Sequence, residues 1–127
     1  MSPIDYIRNL VSDDPPLKEV LDRCLCDWEP EMPPTTILFA KVGNAIGDYL
    51  NVCSANQRHK IFTGIEIAMT DPDENLKTAM ATGLIESLVT KADKQEGLWA
   101  QLEQYFGPIS KNHALSWRKF GQKDVTH

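Results

Sequence analysis

NQRHKIFTGIEIAMTDPDENLKTAMATGLIESLVTKADKQEGLWAQLEQYF, residues 56–106, decides the fold. Apolar residues recur in it at helical spacing, first as Ile61, Phe62, Ile65, Ala68 and Met69. They return as Leu76, Met80, Leu84 and Leu88, and again as Leu98, Trp99, Leu102, Tyr105 and Phe106. A second row of Ala81, Ile85 and Val89 widens the middle arc, which predicts the most buried helix of the fold. Between the first two helices, Thr70-Asp71-Pro72-Asp73-Glu74 imposes a break and places acids where they oppose the positive end of a helix dipole. No catalytic constellation lies on these helices, so the stretch reads as a shape built to be presented to another macromolecule.

Toward the N-terminus, Asn56 reads as the cap of the first of these helices. Thr35 or Thr36 caps the helix before it, with Leu38, Val42, Ala45, Ile46, Tyr49, Leu50 and Cys53 on one face. Earlier still, Leu17, Val20, Leu21, Cys24, Leu25 and Trp28 fall at i, i+3, i+4, i+7, i+8 and i+11, a helical stripe opened by Pro15 and Pro16. Glu29-Pro30-Glu31-Met32-Pro33-Pro34 stops that helix, because proline lacks a donor and pushes its predecessor toward extended geometry. The hexapeptide reads as a stiff acidic connector within one domain. Ser2 and Pro3 open a short first helix with Ile4, Ile7, Leu10 and Val11 on one face, and Ser12-Asp13-Asp14 closes it and caps the next.

Toward the C-terminus, Gly107-Pro108 stops the sixth helix, and Ser110 is placed to cap a short last one bearing Leu115, Trp117 and Phe120. The tail after about residue 121 is expected to fray. No segment alternates apolar and polar residues for the length of a strand. The expected class is all-α: a single domain over residues 1–127, a compact bundle or short superhelical stack of about six or seven helices. The fourth and fifth helices are expected to form an antiparallel pair.

Composition narrows the function. With 42% hydrophobic and 24% charged residues the chain is globular in character. Its net charge of −5 argues against nucleic-acid binding, which needs surplus Lys and Arg to release counterions. The first 34 residues carry eight acids against three bases, whereas residues 94–127 carry three acids against five bases. An acidic front suits a basic partner, and it equally suits ordinary solubility. Residues 1–5 lack the cationic and apolar regions of a secretory signal, and no run approaches the roughly 18 apolar residues of a membrane span. Cys24, Cys26 and Cys53 form no disulfide framework and read as free thiols of a reducing compartment. A cytoplasmic location, with no membrane partner, is expected.

Candidate chemistry is thin. Cys24 and Cys26 stand about 200° apart around a helix, too divergent to share a metal, so Cys24 is expected in the core and Cys26 outside. His59, His113 and His127 belong to no metal or catalytic motif, and His59 and His113 fall on polar faces. No nucleophile elbow is present for Ser54, Ser87 or Cys53. The Asp71 run has Leu76 where a calcium loop needs glycine. No cofactor, metal site or enzymatic activity is expected. Gly43-x-x-x-Gly47 costs helix propensity and calls for a compensating close approach, by packing inside the fold or by a partner's backbone, a second copy included. Trp28, Trp99, Tyr105, Phe106 and Phe120 read chiefly as core, Tyr49 and Trp117 as the better interface aromatics.

Leu38-Phe39-Ala40-Lys41-Val42, then Phe62 with Ile65-Glu66 before the Asp-rich turn, then Leu76 with Gly83-Leu84-Ile85-Glu86-Ser87-Leu88, and last Tyr105-Phe106-Gly107-Pro108 form a series. Over roughly residues 35–120 it resembles small all-helical bacterial domains, many of which look like immunity proteins of interbacterial toxin systems. The resemblance implies stoichiometric binding of a cognate protein toxin in the cytoplasm. Many such toxins are nucleases with basic clefts, which an acidic inhibitor mimics nucleic acid to fill. The connector at residues 29–34 departs from the pattern, and no binding motif transfers from the group. The residues themselves nominate Glu29, Glu31, Asp48, Glu66, Asp71, Asp73 and Glu74 as charge partners and Tyr49 as an apolar anchor. A helical adaptor or regulatory subunit of a larger bacterial assembly is the alternative, and a helical hydrolase using Cys53 or His59 a third class.

Overall fold

The computed structural model describes residues 2–125, with side chains through Phe120; Met1, Thr126 and His127 lie outside the described residues. The chain runs through α1 (Pro3–Val11), α2 (Pro15–Trp28), α3 (Thr35–Tyr49) and α4 (Ala55–Met69). A long rod follows, made of α5 (Glu74–Thr78), a π-helical segment (Ala79–Ile85) and α6 (Glu86–Lys94), and then α7 (Leu98–Tyr105) and α8 (Pro108–Val125). Counting the rod once, seven helices and no strand are present among the described residues, so the fold is all-α.

Local chemistry explains most of the boundaries. Ser2 accepts from the Asp5 amide, with Pro3 at the first helical position of α1. The cap of α4 is Ser54, two residues before the expected Asn56, in a capping box with Gln57. At α3 no side chain caps: Pro34 occupies the cap position and Thr35 is already helical. Pro108 opens α8 rather than merely ending α7, which puts Ser110 inside the first turn instead of at the cap. The last helix is 18 residues long and continues to Val125, past the fraying point expected at Gly121.

The rod supplies the centre of the core, as its wide apolar arc requires. Leu76, Met80, Leu84 and Leu88 are all buried, together with Ile85 and Val89. Their unbroken i+4 spacing overshoots an α-turn by about 40° at each step, so the row would drift off the core within three steps. A π-helical segment, with wider turns, takes up that drift and keeps the row inward. The main partner of the rod is α3, with smaller contacts to α4, so the pairing differs from the expected fourth-with-fifth hairpin. Glycines set how near the two come. A Cβ on Gly43 would sit 2.4 Å from the Leu84 carbonyl oxygen, and one on Gly83 would sit 2.7 Å from that of Thr36. The close approach foreseen for Gly43 is thus made inside the fold.

Candidate functional site

Of the eight residues nominated from sequence, four turn out to hold the fold together. Tyr49 is buried, and its hydroxyl donates to Asp14 Oδ1 (3.0 Å) while accepting from Gln57 Nε2 (2.9 Å). Gln57 also donates to Asp14, at 3.1 Å. An anchor for a partner must lie on the surface, so the structure corrects that reading of Tyr49. Burial pushes its phenol above the ordinary tyrosine range, and hydrogen bonding to Asp14 adds to the rise. Asp14 accordingly makes no side-chain cap for α2.

Glu66 is engaged in a similar way. Its carboxylate accepts from the amides of Ile109 (3.0 Å) and Ser110 (2.9 Å) and from Ser110 Oγ (2.7 Å), sealing the start of α8. Burial opposes its charge, but the donors outweigh it and hold the carboxyl below the usual range. Asp73 caps α5 through the amides of Asn75 (2.9 Å) and Leu76 (3.4 Å), and Asp71 accepts from the Asp73 amide at 2.8 Å. Asp71 also adds to burial in raising the pKa of Tyr6.

The other four are exposed. Asp48 pairs with Lys91 at 2.8 Å and Glu74 with Lys77 at 3.3 Å. Glu29 and Glu31 have no ion pair among the described residues. They line a cleft of about 640 Å³ with Arg8, Leu25, Pro30 and Met32. The Glu31 amide donates to the Trp28 carbonyl at 2.9 Å, which folds the connector back on the end of α2. Asp22, in the middle of α2, and Asp27, next to its last residue, are exposed and likewise have no ion pair among the described residues.

Near the connector lie apolar side chains that sequence reasoning did not nominate for binding, Trp28 among them having been read as core. Trp28 is 37% exposed and Met32 56%, and Leu25 is half-buried. Trp28 continues the stripe that buries Leu17, Leu21 and Cys24, but it is the last residue of α2 and is left in solvent. Phe120 is exposed as well, stacked on Trp117 rather than in the core. The signal for Trp28 was its position immediately before Glu29-Pro30, where the helix that would carry it inward ends.

A second concavity of about 610 Å³ opens between α3, α6 and α8, beside the π-helical segment. His113 Nε2 lies 2.9 Å from Oε2 of Glu86, one of its lining residues, and Trp117 Nε1 donates to Thr90 Oγ1 at 3.3 Å. His113 was assigned to a polar surface; it is half-buried and ties α8 to α6. Cys24 is buried and Cys26 exposed, as their spacing required. Among the described residues no group of three or more His, Cys, Asp or Glu is placed to hold a metal, and no helix is long and apolar enough to cross a membrane.

A family model described as Domain of unknown function (DUF7674) matches residues 7–122, which takes in every helix from α1 into α8. No curated protein and no solved structure matches the chain.

Proposed function

The chain belongs to the DUF7674 family, and we propose that it is a binding protein that neutralises a basic protein toxin by occluding it, an immunity protein in the cytoplasm of the toxin's producer. The observation that carries this reading is the end of α2. Exposed Glu29 and Glu31, without an ion pair among the described residues, follow exposed Trp28 in the chain and line a cleft with exposed Met32, and exposed Asp27 precedes Trp28. Tight interfaces concentrate their energy in an aromatic or apolar anchor that becomes fully desolvated, with polar groups at the rim. Carboxylates without internal partners break no ion pair of their own when they meet Arg or Lys of another protein, and they accelerate encounter with a cationic surface. Arg8 is the one cation lining the cleft, too little to neutralise it.

A nuclease domain supplies the kind of cationic surface this face fits, since its cleft must receive phosphates. The inhibitor then needs no chemistry of its own, only a fixed shape, and a rod locked to α3 through Gly43 and Gly83 provides that.

The test is co-purification of this protein with the product of the adjacent gene, paired with a growth test of that product alone. A stable complex and rescued growth support the reading. An absence of both complex and toxicity overturns it and favours the adaptor reading.

A further inference from the structure

The groove between α3 and α8 differs in character from the acidic face. Its floor is the outer side of the rod, where Gly83 of the π-helical segment and Ser87, Thr90 and Lys94 of α6 follow one another at helical spacing. Asn44 stands on the α3 wall, Lys91 reaches toward it from α6, and Trp117 stands on the α8 wall. In a chain of net charge −5, two lysines line this one groove. Lys91 is held between Asp48 (2.8 Å) and Asn44 Oδ1 (3.3 Å). Lys94 has no ion pair among the described residues, so its charge is available.

Several groups are fixed in a way that leaves them one open valence. Asn44 accepts from Lys91 through Oδ1, which turns its amide NH₂ outward as a donor. Ser87 and Thr90 donate to the carbonyls of Ala40 and Glu86 and keep acceptor lone pairs. Trp117 is pinned by Thr90 at its N–H, and Phe120 stacks with its ring 5.9 Å between centroids. The one carboxylate in the lining, Glu86, is bonded to His113 through Oε2. The groove therefore offers an ammonium and an amide donor near an immobilised indole, in a volume within the range of small-ligand sites.

We propose that this groove binds a small organic anion with a planar ring, its phosphate or carboxylate on Lys94 and Asn44 and its ring against Trp117. Stacking and cationic contact of this kind are tolerant of ring identity, so the class is defined by flatness and charge rather than by one base pattern. The site is independent of the acidic face at α2.

Adenosine monophosphate, uridine monophosphate and benzoate are the probes, each titrated into the full chain while the Trp117 indole N–H resonance is followed. Trp117→Phe assigns that resonance. At least one probe should give a saturable shift, weakened about tenfold by Lys94→Gln and by added salt. Lys94 is exposed, so the variant should keep its helicity by circular dichroism. Adenosine and inorganic phosphate, each carrying half of the chemistry, should bind more weakly. The proposal is overturned if no probe moves the Trp117 resonance at millimolar concentration, or if Lys94→Gln leaves affinity unchanged. It is equally overturned if phosphate alone binds as tightly as the monophosphates.

Discussion

The Tyr49 hydroxyl donates a 3.0 Å hydrogen bond to the Asp14 carboxylate, joining the last residue of α3 to the residue that precedes α2. Asp14 is 1% exposed, and its carboxylate accepts from Tyr49 and Gln57. Tyr49→Phe removes one donor from a buried charge and should cost about 1.5–3 kcal/mol in urea unfolding. The phenol's raised pKa gives a second handle. Its contribution is complete below the ordinary tyrosine value of 10.0 and fades as pH rises through the higher folded value. Tyr49 should therefore be absent from the ordinary phenolate transition in a spectrophotometric titration of the native protein.

Glu66 should govern the acid limb of stability. Its folded pKa lies below the reference 4.5, so its contribution is present above that value and lost as pH falls through the folded one. Glu66→Ala uncaps α8 and should cost about 1–2 kcal/mol near neutral pH, with the difference from the parent narrowing in acid. Gly107 offers a control. A Cβ there would lie 2.5 Å from Glu66 Cδ, so Gly107→Ala should displace the carboxylate and reproduce much of the loss. Full stability in Gly107→Ala would separate the glycine from the cap.

Two glycines one helical turn apart should respond to a very different extent. In Gly43→Ala the new methyl meets the backbone of Leu84, which cannot swing aside, and the penalty should be about 1–3 kcal/mol or more. In Gly47→Ala it meets the side chain of Lys91 at 2.5 Å, which is able to move. There the helix-propensity gain of up to about 1 kcal/mol offsets the disturbance. Thermal denaturation of the two variants should therefore show a large drop in Tm for the first and little change for the second.

The helices were legible because each buries a stripe that its own sequence prints. Leu17, Leu21 and Cys24 lie on one, Leu38, Val42 and Ile46 on another, and all six are buried. The break at Asp71–Glu74 was legible too, since capping acts over three or four residues. The π-helical segment left a trace in the i+4 spacing of Leu76 to Leu88, but periodicity alone reads it as an ordinary helix. What stayed hidden depends on residues far apart in the chain. Nothing near Tyr49 announces Asp14, 35 residues away, and nothing near Glu66 announces Ser110, 44 residues on. An acid with a distant donor and an acid facing solvent look alike in sequence, which is why the nominated set mixed Glu66 with Glu29.

That mixture makes a sharp test at the acidic face. Glu29→Lys with Glu31→Lys reverses two exposed charges that have no internal ion pair, so Tm should stay within about 1–2 °C of the parent, since surface changes of this kind cost little. Binding to the cognate partner should suffer differently. Association should slow by about tenfold or more at low salt, and the deficit should shrink as salt screens the field. Asp73→Lys provides the contrast, because its carboxylate caps α5 and its loss should cost about 1 kcal/mol of stability. If the connector reversals leave association untouched at low salt while Trp28→Ala and Met32→Ala also bind normally, the partner docks elsewhere. If the charge reversals slow association and Trp28→Ala accelerates dissociation, the acids steer and the indole anchors, which is the division of labour that the geometry of this surface implies.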